Sequence, residues 1–73
     1  MSFREWIISK HINSDSPIGD LARDINEDPE FPNNINKNIN KSYLDRKRAC
    51  KGCLETFEKA WKEYKEERIK KND

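Results

Sequence analysis

Seventy-three residues, 33% hydrophobic and 40% charged, fill one compact domain and one small core, which leaves no material for a deep catalytic cleft. The formal charge of +1 excludes a strong overall pull toward nucleic acid or anionic lipid, but it is unevenly spread. Residues 1–36 hold three Lys or Arg against seven Asp or Glu, a net of −4, and residues 37–73 hold twelve against seven, a net of +5.

Ser2 followed by Glu5 has capping-box spacing, so a first helix is expected over residues 3–11, with Phe3, Trp6 and Ile7 on its apolar face and Ile8 and Ile12 at the edge. Ser16 before Pro17 is an N-cap followed by proline at the first helical position, and it opens a second helix over 17–28. Ile18, Leu21, Ala22 and Ile25 recur at i, i+3, i+4 and i+7 on one face, and Asp20, Asp24, Glu27 and Asp28 take the other. Pro29 and Pro32 end that helix and place Phe31 as a plug for the core.

The Asn-rich stretch from Asn33 to Asn40 favours turns and caps, and a third helix is expected over 36–46 carrying Ile39, Tyr43 and Leu44. Gly52 disfavours a helix interior and Thr56 is a capable cap, so the remainder is expected to divide into a fourth helix over 48–54 and a longer fifth over 57–70. Phe57, Ala60, Trp61 and Tyr64 form the buried stripe of the last helix. No strand signal or internal repeat is present. The expected fold class is all-α: a compact bundle of five helices, short ones crossing steeply and a longer one at the C-terminus, forming a single domain over 1–73. Its expected core is Phe3, Trp6, Ile7, Leu21, Ile25, Phe31, Tyr43, Leu44, Phe57, Trp61 and Tyr64.

Ser2-Phe3 with Trp6, Leu21-Ala22, Asp28 with Phe31-Pro32, Tyr43-Leu44, and Phe57, Ala60-Trp61 and Tyr64 together resemble the pattern of the YozE family across nearly the whole chain. The resemblance implies a bacterial protein with a fold similar to sterile alpha motif (SAM) domains, and it implies no established biochemical activity. These are core positions, so it carries over an architecture and no catalytic residues. Arg46, Lys47, Arg48, Cys50 and Cys53 depart from the family pattern.

Cys50-Lys51-Gly52-Cys53 has the spacing of a thiol or zinc pair. A structural zinc needs four ligands, however, and only His11 remains as a third; a thioredoxin-like pair needs a neighbouring strand. Two small packing side chains are the expected role. His11, the lone imidazole, suits the end of the first helix, where its cation meets the helix dipole. The acidic series lacks the Asp-x-Asp-x-Asp-Gly loop of a calcium site and is expected to be a solvated helix face.

No cofactor, metal or enzymatic activity is therefore expected. Two surfaces remain as binding candidates: the acidic side of the second helix (Asp20, Asp24, Glu27) and the basic segment 37–51 (Lys41, Arg46, Lys47, Arg48, Lys51). Protein association, with an unknown partner or weakly with itself, is the leading expectation. The alternative is an accessory nucleic-acid protein whose basic segment neutralises phosphates without reading bases. No run approaches the ~20 apolar residues of a membrane-spanning helix, and the N-terminal residues lack the basic-then-apolar pattern of a secretion signal. A cytoplasmic protein that does not contact membrane is expected.

Overall fold

The computed structural model describes residues 1–47 and 51–71, the latter without the side chains of residues 51, 70 and 71. Its elements are four α-helices, α1 (Phe3–His11), α2 (Pro17–Asn26), α3 (Lys37–Lys47) and α4 (Lys51–Lys71), and the described residues contain no strand. The all-α expectation holds, with four helices in place of five. The division expected between Gly52 and Thr56 is absent, because α4 runs through both as one 21-residue helix. Two physical reasons account for it. Gly52 lies in the first turn of α4, and Cys53, Leu54, Phe57, Ala60, Trp61 and Tyr64 form one continuous stripe at helical spacing, whose packing outweighs a single weak helix former.

Local chemistry sets the helix ends. The capping box is complete: Ser2 Oγ accepts from the Glu5 N–H at 3.1 Å, and Glu5 Oε1 accepts from the Ser2 N–H at 3.1 Å. Ser16 Oγ caps α2 by accepting from the Gly19 N–H at 3.2 Å. Asn36 Oδ1 does the same for α3, accepting from the Ile39 N–H at 3.2 Å.

Regular α-helix in α2 stops at Asn26 rather than Asp28. Pro29 disfavours helical backbone at Asp28, and the chain closes a tighter turn there, the Asp28 N–H donating to the Ile25 carbonyl at 3.1 Å; Arg4 Nη1 of α1 adds donations to the carbonyls of Ile25 (3.0 Å) and Asp28 (2.6 Å). Arg23 of α2 returns the service, donating to the carbonyls of Ile12 (3.0 Å) and Ser14 (2.9 Å) just past α1. Each of the first two helices thus sends an arginine to carbonyls at the other's C-terminal end.

Phe3, Trp6, Ile7, Leu21, Ala22, Ile25, Phe31, Leu44, Phe57, Ala60, Trp61 and Tyr64 are buried as one core, with Ile8, Ile12, Ile18, Tyr43 and Leu54 packed on its edge. Tyr43 is therefore half-buried rather than central: its ring meets Phe31 edge-on at 5.4 Å, and its hydroxyl reaches Asp28 at the end of α2. On α3, Ile39 is exposed and Asn40 is fully buried. Asn40 Nδ2 donates to the carbonyls of Asn34 (3.1 Å) and Asn36 (2.7 Å), so the position goes to a side chain that can satisfy the turn before α3. The Cα radius of gyration, 11.4 Å, matches the ~11 Å expected of a compact chain of this length.

Gly19 is where the α1–α2 loop rests on α2. A Cβ there would lie 2.0 Å from the Ser14 carbonyl oxygen, so a side chain must push that backbone away. We predict that Gly19→Ala, despite alanine's better helix propensity, lowers stability by about 1–3 kcal/mol in a denaturant titration. An unchanged or raised midpoint would contradict this packing.

Candidate interaction surfaces

The fold sorts the two candidate surfaces differently. On α2, Asp20 and Glu27 are exposed and Asp24 and Asp28 are half-buried, so the acidic residues form a ridge along the outer side of the helix. Asp20 Oδ1 pairs with Arg23 Nη2 at 2.5 Å, an exposed i,i+3 contact on that ridge.

The basic segment does not form a single stripe. Lys37 and Lys41, one turn apart on α3, both reach Glu58 of α4, with Nζ to carboxylate distances of 2.6 and 3.2 Å. The Lys37 hydrogen bond, then that of Lys41, holds the Glu58 carboxyl below its ordinary range against an opposing effect of desolvation. Lys47, at the other end of α3, lies 5.8 Å from the centre of the Tyr43 ring and borders a depression shared with Asp24, Glu27 and Asp28. Arg46 is exposed. Arg48, Cys50 and the side chain of Lys51 lie outside the described residues. Sequence reading missed Glu58, which meets Lys37 and Lys41 only through the packing of α3 on α4.

Tyr43 links α3 to the end of α2. Its hydroxyl donates to Asp28 Oδ2 at 2.7 Å. Desolvation first, and this hydrogen bond second, push the phenol up to about 12 from 10.0. The same bond is the main reason that the Asp28 carboxyl sits below its usual 3.8.

A concavity of about 570 Å³ runs between α2 and the N-terminal half of α4. Ile18, Leu21 and Cys53 supply its apolar surface, and Asp20, Asp24, Glu55 and Lys59 stand along its sides. Cys53 is half-buried there. The described residues contain no cluster of three or more His, Cys, Asp or Glu able to hold a metal. His11 lies further along α4, its Nε2 3.1 Å from Glu63 Oε1 and its ring edge-on to Trp6 at 5.5 Å; Lys10 Nζ reaches Glu67 at 3.0 Å nearby. These contacts fasten α1 to the part of α4 beyond Cys53, about 15 Å along the helix at 1.5 Å per residue.

The family model for the YozE SAM-like fold matches residues 2–66. The chain belongs to this family. No curated protein and no solved structure matches it. The match covers all of α1, α2 and α3 and most of α4, so the groove and both charged surfaces lie within the family's domain. No described helix of this YozE-family chain is long and apolar enough to cross a membrane.

The Tyr43–Asp28 bond makes a signed prediction. Asp28, with its pKa depressed in the fold, adds stability above the ordinary carboxylate range and loses it as pH falls through the lower folded value. Tyr43, with its pKa raised, adds stability below pH 10.0 and loses it as pH climbs toward about 12. Tyr43→Phe should therefore return the Asp28 titration, followed by carboxyl NMR, upward toward 3.8. An Asp28 midpoint indifferent to the substitution would refute the link.

Proposed function

We propose that this chain is a non-enzymatic protein-interaction module, working in the cytoplasm, whose contact surface is the α2 side of the domain. One observation carries the reading: beside the acidic ridge of Asp20, Asp24 and Glu27 lies an open groove of about 570 Å³ whose apolar surface comes from Ile18, Leu21 and Cys53. An apolar patch rimmed by charge is the usual anatomy of a protein contact.

The nucleic-acid reading draws less support. Lys37 and Lys41 share the Glu58 carboxylate, and Lys47 sits among the acids at the end of α2, so the basic residues of α3 do not offer phosphates an unbroken row. Among the described side chains of the basic segment, Arg46 is the exposed cation that this geometry leaves to that reading.

Affinity capture with the full chain from its native host, followed by mass spectrometry, tests the proposal. A protein retained after nuclease treatment, and lost when Asp20 and Glu27 are both changed to Lys, is the expected result. Retention of nothing but nuclease-sensitive material, together with a salt-sensitive gel shift below about 100 μM, would overturn it in favour of nucleic acid.

A further inference from the structure

We propose that the α2–α4 groove receives a short cationic amphipathic helix, about two turns long, from a partner protein. The inference rests on the interaction-module reading above and names the chemistry of its partner. Three features of the groove lead to it.

The first is length. The groove is lined from Ser16 to Asp24 on α2 and from Gly52 to Lys59 on α4, stretches that rise about 12 Å and about 10 Å at 1.5 Å per residue. Apolar anchors at i, i+4 and i+7 of a guest helix span about 10 Å at the same rise, so the trough matches two helical turns.

The second is the division of chemistry across its width. Ile18 and Cys53 are half-buried and Leu21 is nearly closed off, so the apolar surface lies low between the helices while the charged residues stand above it. A guest with one apolar stripe and one charged side satisfies both levels, whereas a wholly polar segment would cover the exposed parts of Ile18 and Cys53 with polar groups.

The third is the sign of the charge. The described side chains around the groove and along the adjoining ridge include Asp20, Asp24, Glu27, Asp28 and Glu55 against Arg23, Lys47 and Lys59. Arg23 is also turned to the carbonyls of Ile12 and Ser14, which ties its charge to the α1–α2 loop. These described side chains are net acidic, five carboxylates against three bases, so lysine and arginine on the guest's upper side are attracted, and carboxylates there are repelled.

The test uses the full chain and three labelled peptides followed by fluorescence anisotropy. One is an amphipathic helix with leucine anchors at i, i+4 and i+7 and lysine elsewhere; the second keeps the leucines and replaces lysine with glutamate; the third is residues 59–71 of this chain. The lysine peptide should bind, and Asp20→Asn with Glu27→Gln should weaken it about threefold to tenfold in ~0.1 M salt and much less in ~1 M salt. Ile18→Asp should weaken it by about tenfold or more. Because Ile18 also touches the core, Gly52→Leu, which adds a side chain at the groove edge and removes no core contact, should weaken it as well. Equal binding of the glutamate peptide, no binding of the lysine peptide, or indifference to Gly52→Leu would overturn the proposal. Tight binding of residues 59–71, with concentration-dependent self-association in sedimentation, would overturn it by making a second copy the occupant. Loss of the peptide result with retention of a captured host protein would leave the interaction-module reading standing on another surface.

Discussion

The structure depends on the burial of Phe3 at the first position of α1. Its ring is fully enclosed, with Trp61 at 5.0 Å, Phe57 at 5.3 Å, Tyr64 at 5.5 Å and Trp6 at 5.8 Å between centroids, the Phe57 and Tyr64 contacts edge-on. Three of those four rings belong to α4. A chain of 73 residues has a total stability of only about 4–11 kcal/mol, so one well-packed aromatic cluster is a large part of what keeps it folded. The N-terminus is pinned to the same helix by the Tyr64 hydroxyl, which donates to the Met1 carbonyl at 2.6 Å.

With α1 seated on α4, Leu21, Ala22, Ile25, Phe31 and Leu44 bury the other elements against the same core, and polar contacts fix their positions. Arg4 and Arg23 exchange caps between α1 and α2. Ser2 Oγ meets Asn33 Oδ1, and the Asn34 carbonyl accepts from the Phe3 N–H, which sets the turn before α3 against the start of α1. Lys37 and Lys41 then draw the flank of α3 to Glu58, and Tyr43 draws its other end to Asp28. The aromatic centre therefore uses most of the apolar side chains, and the groove beside α2 is where Ile18 and Cys53 remain partly uncovered.

Much of this was legible in the residues. Ser2 with Glu5 and Ser16 with Pro17 mark their helix starts because caps are local chemistry, and the period of Phe3, Trp6 and Ile7, or of Leu21, Ala22 and Ile25, identifies the inner faces. The errors fall where tertiary contacts outweigh local preference. Gly52 and Thr56 read as a break, yet the stripe from Cys53 to Tyr64 packs as one helix. The Asn-rich stretch reads as turn and cap, but Asn40 is buried, and its amide adds a second donor to the Asn34 and Asn36 carbonyls, which also accept from the backbone N–H groups of Phe3 and Asn40. The candidate surfaces were half legible: the acids of α2 share a face by spacing alone, while the partners of Lys37 and Lys41 depend on how α3 lies against α4, which no local pattern encodes.

Truncating the central ring tests this account most directly. Phe3→Ala, followed by tryptophan fluorescence in a denaturant titration, should cost about 3–5 kcal/mol and leave little folded protein, while the near-isosteric Phe3→Leu should remain folded with a loss of roughly 1–2 kcal/mol. A Phe3→Ala protein that unfolds at the wild-type midpoint, with both tryptophans still shielded from water, would show that the fold does not depend on this contact.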